Sequence, residues 1–215
     1  KLSITYEMIS KDISPMILIC AAGASSRMAP IDKLMLPIDG KPLLRRVAQN
    51  VLQAKLPTIV ALPPRPHTRW QALSGLQLSV TSYADSLEGL SGTLRATVAN
   101  LPKDISHLCI VLADLPGIRA EDISNVFEEV VKHPNALIWR PIGPEGQPAH
   151  PTVFHRHTFS AFAKISGDAG AKDVIEKFRS HTFKFINKTD SGSMDIDHPE
   201  DYQSFLKQSD ATDLK

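Results

Sequence analysis

Short apolar runs of strand length recur along this chain, at Met16–Ala22, Thr58–Leu62, Leu78–Ser82, Leu108–Ala113, Ala136–Arg140, Thr152–Phe154 and Thr182–Ile186. Several are rich in β-branched residues. Segments of helical periodicity alternate with them. KPLLRRVAQNVLQAK sets Pro42 at a helix start and Leu44, Val47 and Val51 on one face. RAEDISNVFEEVVKH carries its acids early and Lys132 and His133 late, as the helix dipole favours. GAKDVIEKFRS and HPEDYQSFLKQ read in the same way. This alternation predicts a three-layer α/β/α fold, with a mainly parallel sheet covered on both faces. Ligands in such sheets gather at the carboxyl ends of the strands.

The chain has 215 residues, 42% hydrophobic and 22% charged, enough to bury a full sheet in one soluble domain. A formal net charge of +1 gives no bulk field toward nucleic acid or a membrane surface, so neither is expected as a partner. No apolar run approaches the roughly 18 residues of a spanning helix. The apolar stretch after Lys11 continues into a strand pattern, which favours a strand over a secretory leader. Cys20 and Cys109 lie inside apolar runs without paired spacing. They read as buried free thiols, which suits a reducing, cytoplasmic setting. Residues 1–14 and 208–215 read as tails around one domain spanning 15–207. Proline and glycine mark Ala61–Thr68 and Arg140–Pro151 as loops, the second long enough for a functional flap.

Three places carry chemistry. The first run ends in Ala21-Ala22-Gly23, and Arg27 and Lys33 follow in the loop. Small residues let backbone N–H groups approach an anion closely, while Arg27 offers a bidentate fork and Lys33 a point charge. The pattern suits a polyphosphate cradle as well as it suits an ordinary loop with two solvated cations. It matches neither the Walker loop nor the dinucleotide fingerprint, because Pro42 follows Gly40-Lys41 and Gly23 stands alone. Asp114 directly follows an apolar strand and precedes Pro116, a position from which a carboxylate can hold Mg²⁺ against phosphate. Asp195 and Asp197 alternate, so one of them can face a pocket. Asp197, next to the turn, is that candidate; its other reading is the cap of the helix near Pro199. His150, His155 and His157 have no standard zinc spacing.

AAGASSRMAPIDKLMLPIDGKPLL, LADLPGI, AHPTVF, SGDAGAKDVI and DIDHPEDY occur in this order over almost the whole chain. Together they resemble the molybdenum-cofactor nucleotidyltransferases, a MobA-like branch of the nucleotidyltransferase superfamily with a Rossmann-like fold. Ala21-Ala22-Gly23 is similar to the cytidylyltransferase branch. Ala29 and Ala149 depart from the family pattern, which has glycine at both positions. The resemblance implies transfer of CMP from CTP to a molybdopterin-type cofactor, with Mg²⁺ and release of pyrophosphate. In that reading Arg27, Lys33 and Asp114 are catalytic, and Ala21, Ala22 and Gly23 join them in binding nucleotide. Asp114 and Asp197 hold the metal. His150, Asp168 and Gly170 lie on the acceptor side, and a molybdoenzyme is the implied protein partner. The readings kept beside it are GTP as the donor, another phosphorylated acceptor, and a non-catalytic nucleotide- or cofactor-binding protein.

Overall fold

A computed structural model of the protein describes residues 13–25, 28–187, 192 and 194–213, with backbone alone for 209–213. In chain order the elements are β1 (Pro15–Cys20), β2 (Pro37–Ile38), β3 (Lys41–Pro42), α1 (Leu43–Leu52), β4 (Thr58–Ala61), α2 (Arg69–Ala72), β5 (Ser79–Thr81) and α3 (Leu90–Ala99). They continue with β6 (His107–Leu112), α4 (Ala120–Lys132), β7 (Ile138–Ile142), β8 (Thr152–His155), α5 (Phe159–Phe162), α6 (Lys172–Lys177), β9 (Thr182–Ile186) and α7 (Pro199–Asp213). Seven strands form one sheet in the order β5-β4-β1-β6-β8-β7-β9. Its pairs are parallel except where β8 runs antiparallel to β6 and β7.

Alternation along the strands divides the buried residues between two layers. Ile17 and Ile19 of β1, with Cys109 and Val111 of β6, pack under α1 and α4 with Leu44, Val47, Val51, Ile123 and Phe127. Leu18 and Cys20, with Leu108 and Ile110, pack on the other face with Leu94 of α3, Phe162 of α5 and Val174 of α6. The central strands read as unbroken apolar runs because both faces are covered. Cys20 and Cys109 lie on paired strands but face opposite layers, and both are free and buried.

Several details differ from the sequence expectations. The antiparallel pair β2–β3 turns through Asp39 and Gly40, both at positive φ, the conformation for which an Asp-Gly pair is suited. The expected flap at Arg140–Pro151 is shorter and more ordered, because β7 continues to Ile142 and the turn closes through Gly143 N–H to Gln147 O at 2.8 Å. At the C-terminal end, α7 runs through Asp213 rather than stopping at the expected boundary of 207, since neither glycine nor proline interrupts it after Pro199. At the other end, the Ser14 carbonyl accepts from Ser106 N–H and His107 N–H, which fixes the start of β1. The expected tails at 1–12 and 214–215 lie outside the described residues. Among the described residues no helix is long and apolar enough to cross a membrane.

Burial, and then the nearby Asp114 carboxylate, pushes the Cys20 thiol up to about 12, and burial alone raises Cys109. Both thiols should therefore resist a thiol-exchange reagent at pH 8 in the folded protein and react together once denaturant is added. Rapid labelling of either before unfolding would contradict this packing.

Candidate active site

The loop that follows β1 is held from behind by Arg69, the first residue of α2. The residue is 1% exposed, and every one of its five side-chain N–H groups is used. Nη1 donates to the carbonyls of Ala21 and Gly23, each at 2.7 Å. Nε and Nη2 form a fork on Asp32, at 2.8 and 2.7 Å, and Nη2 also donates to Ser25 Oγ at 3.0 Å. Ser25 itself sits at φ 51°, an uncommon conformation for a non-glycine residue that this clamp sustains. Asp32 in turn caps a short 3₁₀ turn at Lys33–Met35, accepting from Leu34 N–H at 3.1 Å. The sequence reading missed Arg69 and Asp32. They are 37 residues apart and no local pattern marks the pair.

The capped turn sends Lys33 toward the carboxyl edge of the sheet. Its ammonium donates to Asp114 Oδ2 and to Asp197 Oδ1, each at 2.7 Å. Asp114 stands just beyond β6, and its carbonyl accepts from Ile196 N–H at 3.0 Å, which joins the segment before α7 to the β6 edge. Asp201, rather than Asp197, caps α7: its Oδ2 accepts from Asp197 N–H at 3.0 Å and His198 N–H at 2.7 Å. The Asp197 side chain is thereby left to meet Lys33. Burial works against the charge on Lys33, but Asp114 and Asp197 outweigh it and raise its pKa, so the ammonium is permanent at neutral pH. Asp195 is exposed; loss of water on one side, then Asp114 and Asp197, raises its carboxyl.

These residues line a cleft of about 430 Å³, within the range of small-molecule sites. Ala21, Ala22, Gly23, Lys33, Asp114, Asp168 and Asp197 all face it. A Cβ built on Gly23 meets nothing within 4 Å, so no protein neighbour requires glycine there and the space beside it is open for a ligand. Across the cleft, Gly89 sits at φ +100°, and a Cβ there would lie 1.8 Å from Asp168 Oδ1. The loop carrying Asp168 is pinned to the start of α3: Ser91 N–H donates to Gly167 O, and Gly170 N–H donates to Ser91 Oγ, each at 3.1 Å. Gly170 thus packs behind the wall that Asp168 faces from. His150 is half-buried just before β8, its Nδ1 donating to Ile110 O at 3.4 Å, and it does not line the cleft. Neither Ala29 nor Ala149 lines it. His155 and His157 stack edge to face near the opposite end of β8. Arg27 lies outside the described residues.

Asp114 Oδ1 is buried and has no hydrogen-bond partner, while Oδ2 takes Lys33. An orphaned anionic oxygen beside a second carboxylate is the donor chemistry that a hard divalent cation requires. The residues present therefore fit such an ion.

A family model described as "MobA-like NTP transferase domain" matches residues 17–182. A probable molybdenum cofactor guanylyltransferase of Natronomonas pharaonis is 29% identical over 123 residues, 57% of this chain and 60% of that relative. The chain thus spans about three fifths of that relative's length. A nucleotidyl transferase from Methanothermobacter thermautotroptrophicus superposes with a TM-score of 0.77 at 18% identity, over 93% of this chain and 99% of the other. Rv0371c of Mycobacterium tuberculosis H37Rv, solved in complex with manganese, gives 0.72 at 21% identity, over 90% and 98% of the two chains. These structures share the fold.

Replacing Arg69 by Met strips the partners from Asp32 and two loop carbonyls, and should lower stability by about 3–5 kcal/mol in denaturant melts. Burial opposes ionisation of Asp32, but Arg69, the Leu34 amide and His67 outweigh it and lower its pKa. The stability it contributes is present above the ordinary carboxylate range and is lost as pH falls through the lowered value. Asp32→Asn should therefore flatten the loss of stability below about pH 4. An unchanged acid limb would count against the clamp.

Proposed function

From the membership of this chain in the MobA-like NTP transferase domain family, we propose that it is a nucleotidyltransferase acting at the cleft of Lys33, Asp114 and Asp197. One observation carries the reading: a permanently charged lysine is fixed between two carboxylates beside a small-residue loop with open space in front of it. A binding protein without catalysis would not need an ammonium held on a carboxylate whose second oxygen is left without a partner. The reaction joins an acceptor phosphate to the α-phosphorus of a nucleoside triphosphate. A bond forms from the acceptor oxygen to that phosphorus, the bond to the β-phosphate bridging oxygen breaks, and pyrophosphate leaves with the electron pair. An ionised phosphate needs no side-chain base, so the protein's work is positioning and neutralisation.

Each residue then has a task. The Arg69 clamp fixes the Ala21–Ser25 loop before the nucleotide arrives, so its backbone is already set for the phosphates. Lys33 balances charge on the triphosphate and the departing pyrophosphate, and Arg27 adds to it from the same loop. Asp114 and Asp197 hold Lys33 in place and offer oxygen to a divalent ion, with Mg²⁺ the one proposed. That ion, when bound, neutralises phosphate oxygens as a Lewis acid. Asp168 forms the opposite wall of the cleft, with Gly170 fixing its loop, and the family resemblance is what supports His150 as an acceptor-side residue.

The donor proposed is CTP and the acceptor a molybdopterin-type cofactor, delivered onward to a molybdoenzyme in the cytoplasm. Ala22 is buried and lines the cleft, and its methyl narrows the room beside the base, where a purine needs more space than a pyrimidine. The guanylyltransferase name of the Natronomonas relative supports GTP as the second reading.

Pyrophosphate release measured with each nucleotide, Mg²⁺ and molybdenum cofactor should favour CTP by about 10- to 200-fold, the worth of one methyl contact. Equal or faster release with GTP would replace the cytidylyl reading with the guanylyl one. Asp114→Asn should fold normally and lose about 10²-fold or more in turnover, with a comparable loss for Asp197→Asn. Wild-type turnover in Asp114→Asn would remove the metal assignment.

A further inference from the structure

A second unpartnered polar atom lies on β7, outside the lining of the cleft. Arg140 Nε is buried without a hydrogen-bond partner, and among the described residues no carboxylate pairs with this guanidinium. Arg140 is half-buried on β7, where loss of water already works against its charge. A half-buried cation without a counter-charge is costly, and native chains keep one where a ligand supplies the missing anion.

The sheet register says which way it faces. Ile138 packs into the core beneath α3, α5 and α6, and alternation puts Arg140 on that same face, two residues nearer the carboxyl edge. Phe154 of β8 shares that core, so Thr152 follows on the same face toward the same edge. The ring of His150 feels both the Asp114 carboxylate and the Arg140 guanidinium. On β9 the register partner of Arg140 is Lys184, a second cation, which is exposed. Like charges directly across a strand pair repel, so the two cations do not stabilise the sheet. On β6 the same face ends at Leu112, which lines the cleft beside Asp114. Two strand spacings, about 10 Å, separate β7 from β6.

We infer that Arg140, with Lys184 as its register partner on β9, is an anion-binding site beside the cleft, taking a phosphate group of the acceptor. The guanidinium fork matches phosphate oxygens in a way a lysine point charge does not. The word acceptor rests on the proposed nucleotidyl transfer; the anion site rests on Arg140 itself. The other source of the same chemistry is the triphosphate of the nucleotide, and the test separates the two.

Inorganic phosphate is titrated calorimetrically into the full chain, alone and after saturation with a non-hydrolysable CTP analogue and Mg²⁺. Wild type should take up phosphate saturably in both cases, because the analogue fills the Lys33 side and leaves the Arg140 side open. Arg140→Gln should weaken phosphate binding to the analogue-loaded protein by about tenfold or more, the loss of a charge-assisted pair, with analogue affinity changed by less than about twofold. Arg140→Lys should fall between the two, and it serves as the test variant if Arg140→Gln does not fold. No saturable phosphate binding to loaded wild type, or wild-type binding in both variants, overturns the proposal. A fall in analogue affinity in step with phosphate assigns Arg140 to the triphosphate and overturns it equally. If neither the CTP analogue nor its GTP counterpart binds wild type, the nucleotidyl-transfer reading fails, and the phosphate titration without nucleotide still decides Arg140.

Discussion

The ammonium of Lys33 joins three parts of the chain that the sequence keeps far apart: the loop after β1, the end of β6 and the segment before α7. Two half-buried carboxylates set this close would repel each other without it. Lys33 therefore organises the cleft as well as charging it. The same contacts that fix its position also keep it protonated, so its charge is available to a ligand at neutral pH.

That arrangement depends on a second layer of support. Arg69 does not face the cleft, yet it holds the carbonyls on the back of the loop whose front does, and through Asp32 it sets the turn from which Lys33 projects. Fixing the loop before a ligand arrives removes the need to order it during binding. The far wall is built differently. There Asp168 rests against a glycine that leaves it room, and Ser91 exchanges hydrogen bonds with the Asp168 loop. Both walls thus combine a small residue in front with a buried hydrogen-bonded residue behind.

The charges are also unevenly matched. Lys33 is paired with Asp114 and Asp197, whereas Arg140 on β7, outside the lining of the cleft, makes no ion pair with a carboxylate among the described residues. β8, antiparallel to both its neighbours in the seven-stranded sheet, lies between β6, which leads to Asp114, and β7, which carries Arg140.

Much of this was legible in the chain itself. Strand-length apolar runs and amphipathic segments determined the layered sheet, because burial on two faces demands continuous apolar strands and burial on one face demands a helical stripe. Lys33 was identifiable as a candidate from its loop after the first apolar run, Asp114 from its place at a strand end, and Asp197 from its place beside a turn. What those residues do to one another was not legible. Asp197 could equally have capped α7, and only the fold gave that task to Asp201. His150 reads as a cleft residue but turns to the Ile110 carbonyl. Arg69 reads as a polar residue after a proline-rich loop, and its burial against Ala21, Gly23 and Asp32 is invisible in a linear sequence. Periodicity records which residues meet water and is local, so the sequence determined the elements and their faces. Partnership between charges depends on strand order and register, which bring distant segments within hydrogen-bond reach, and only the tertiary structure decided that.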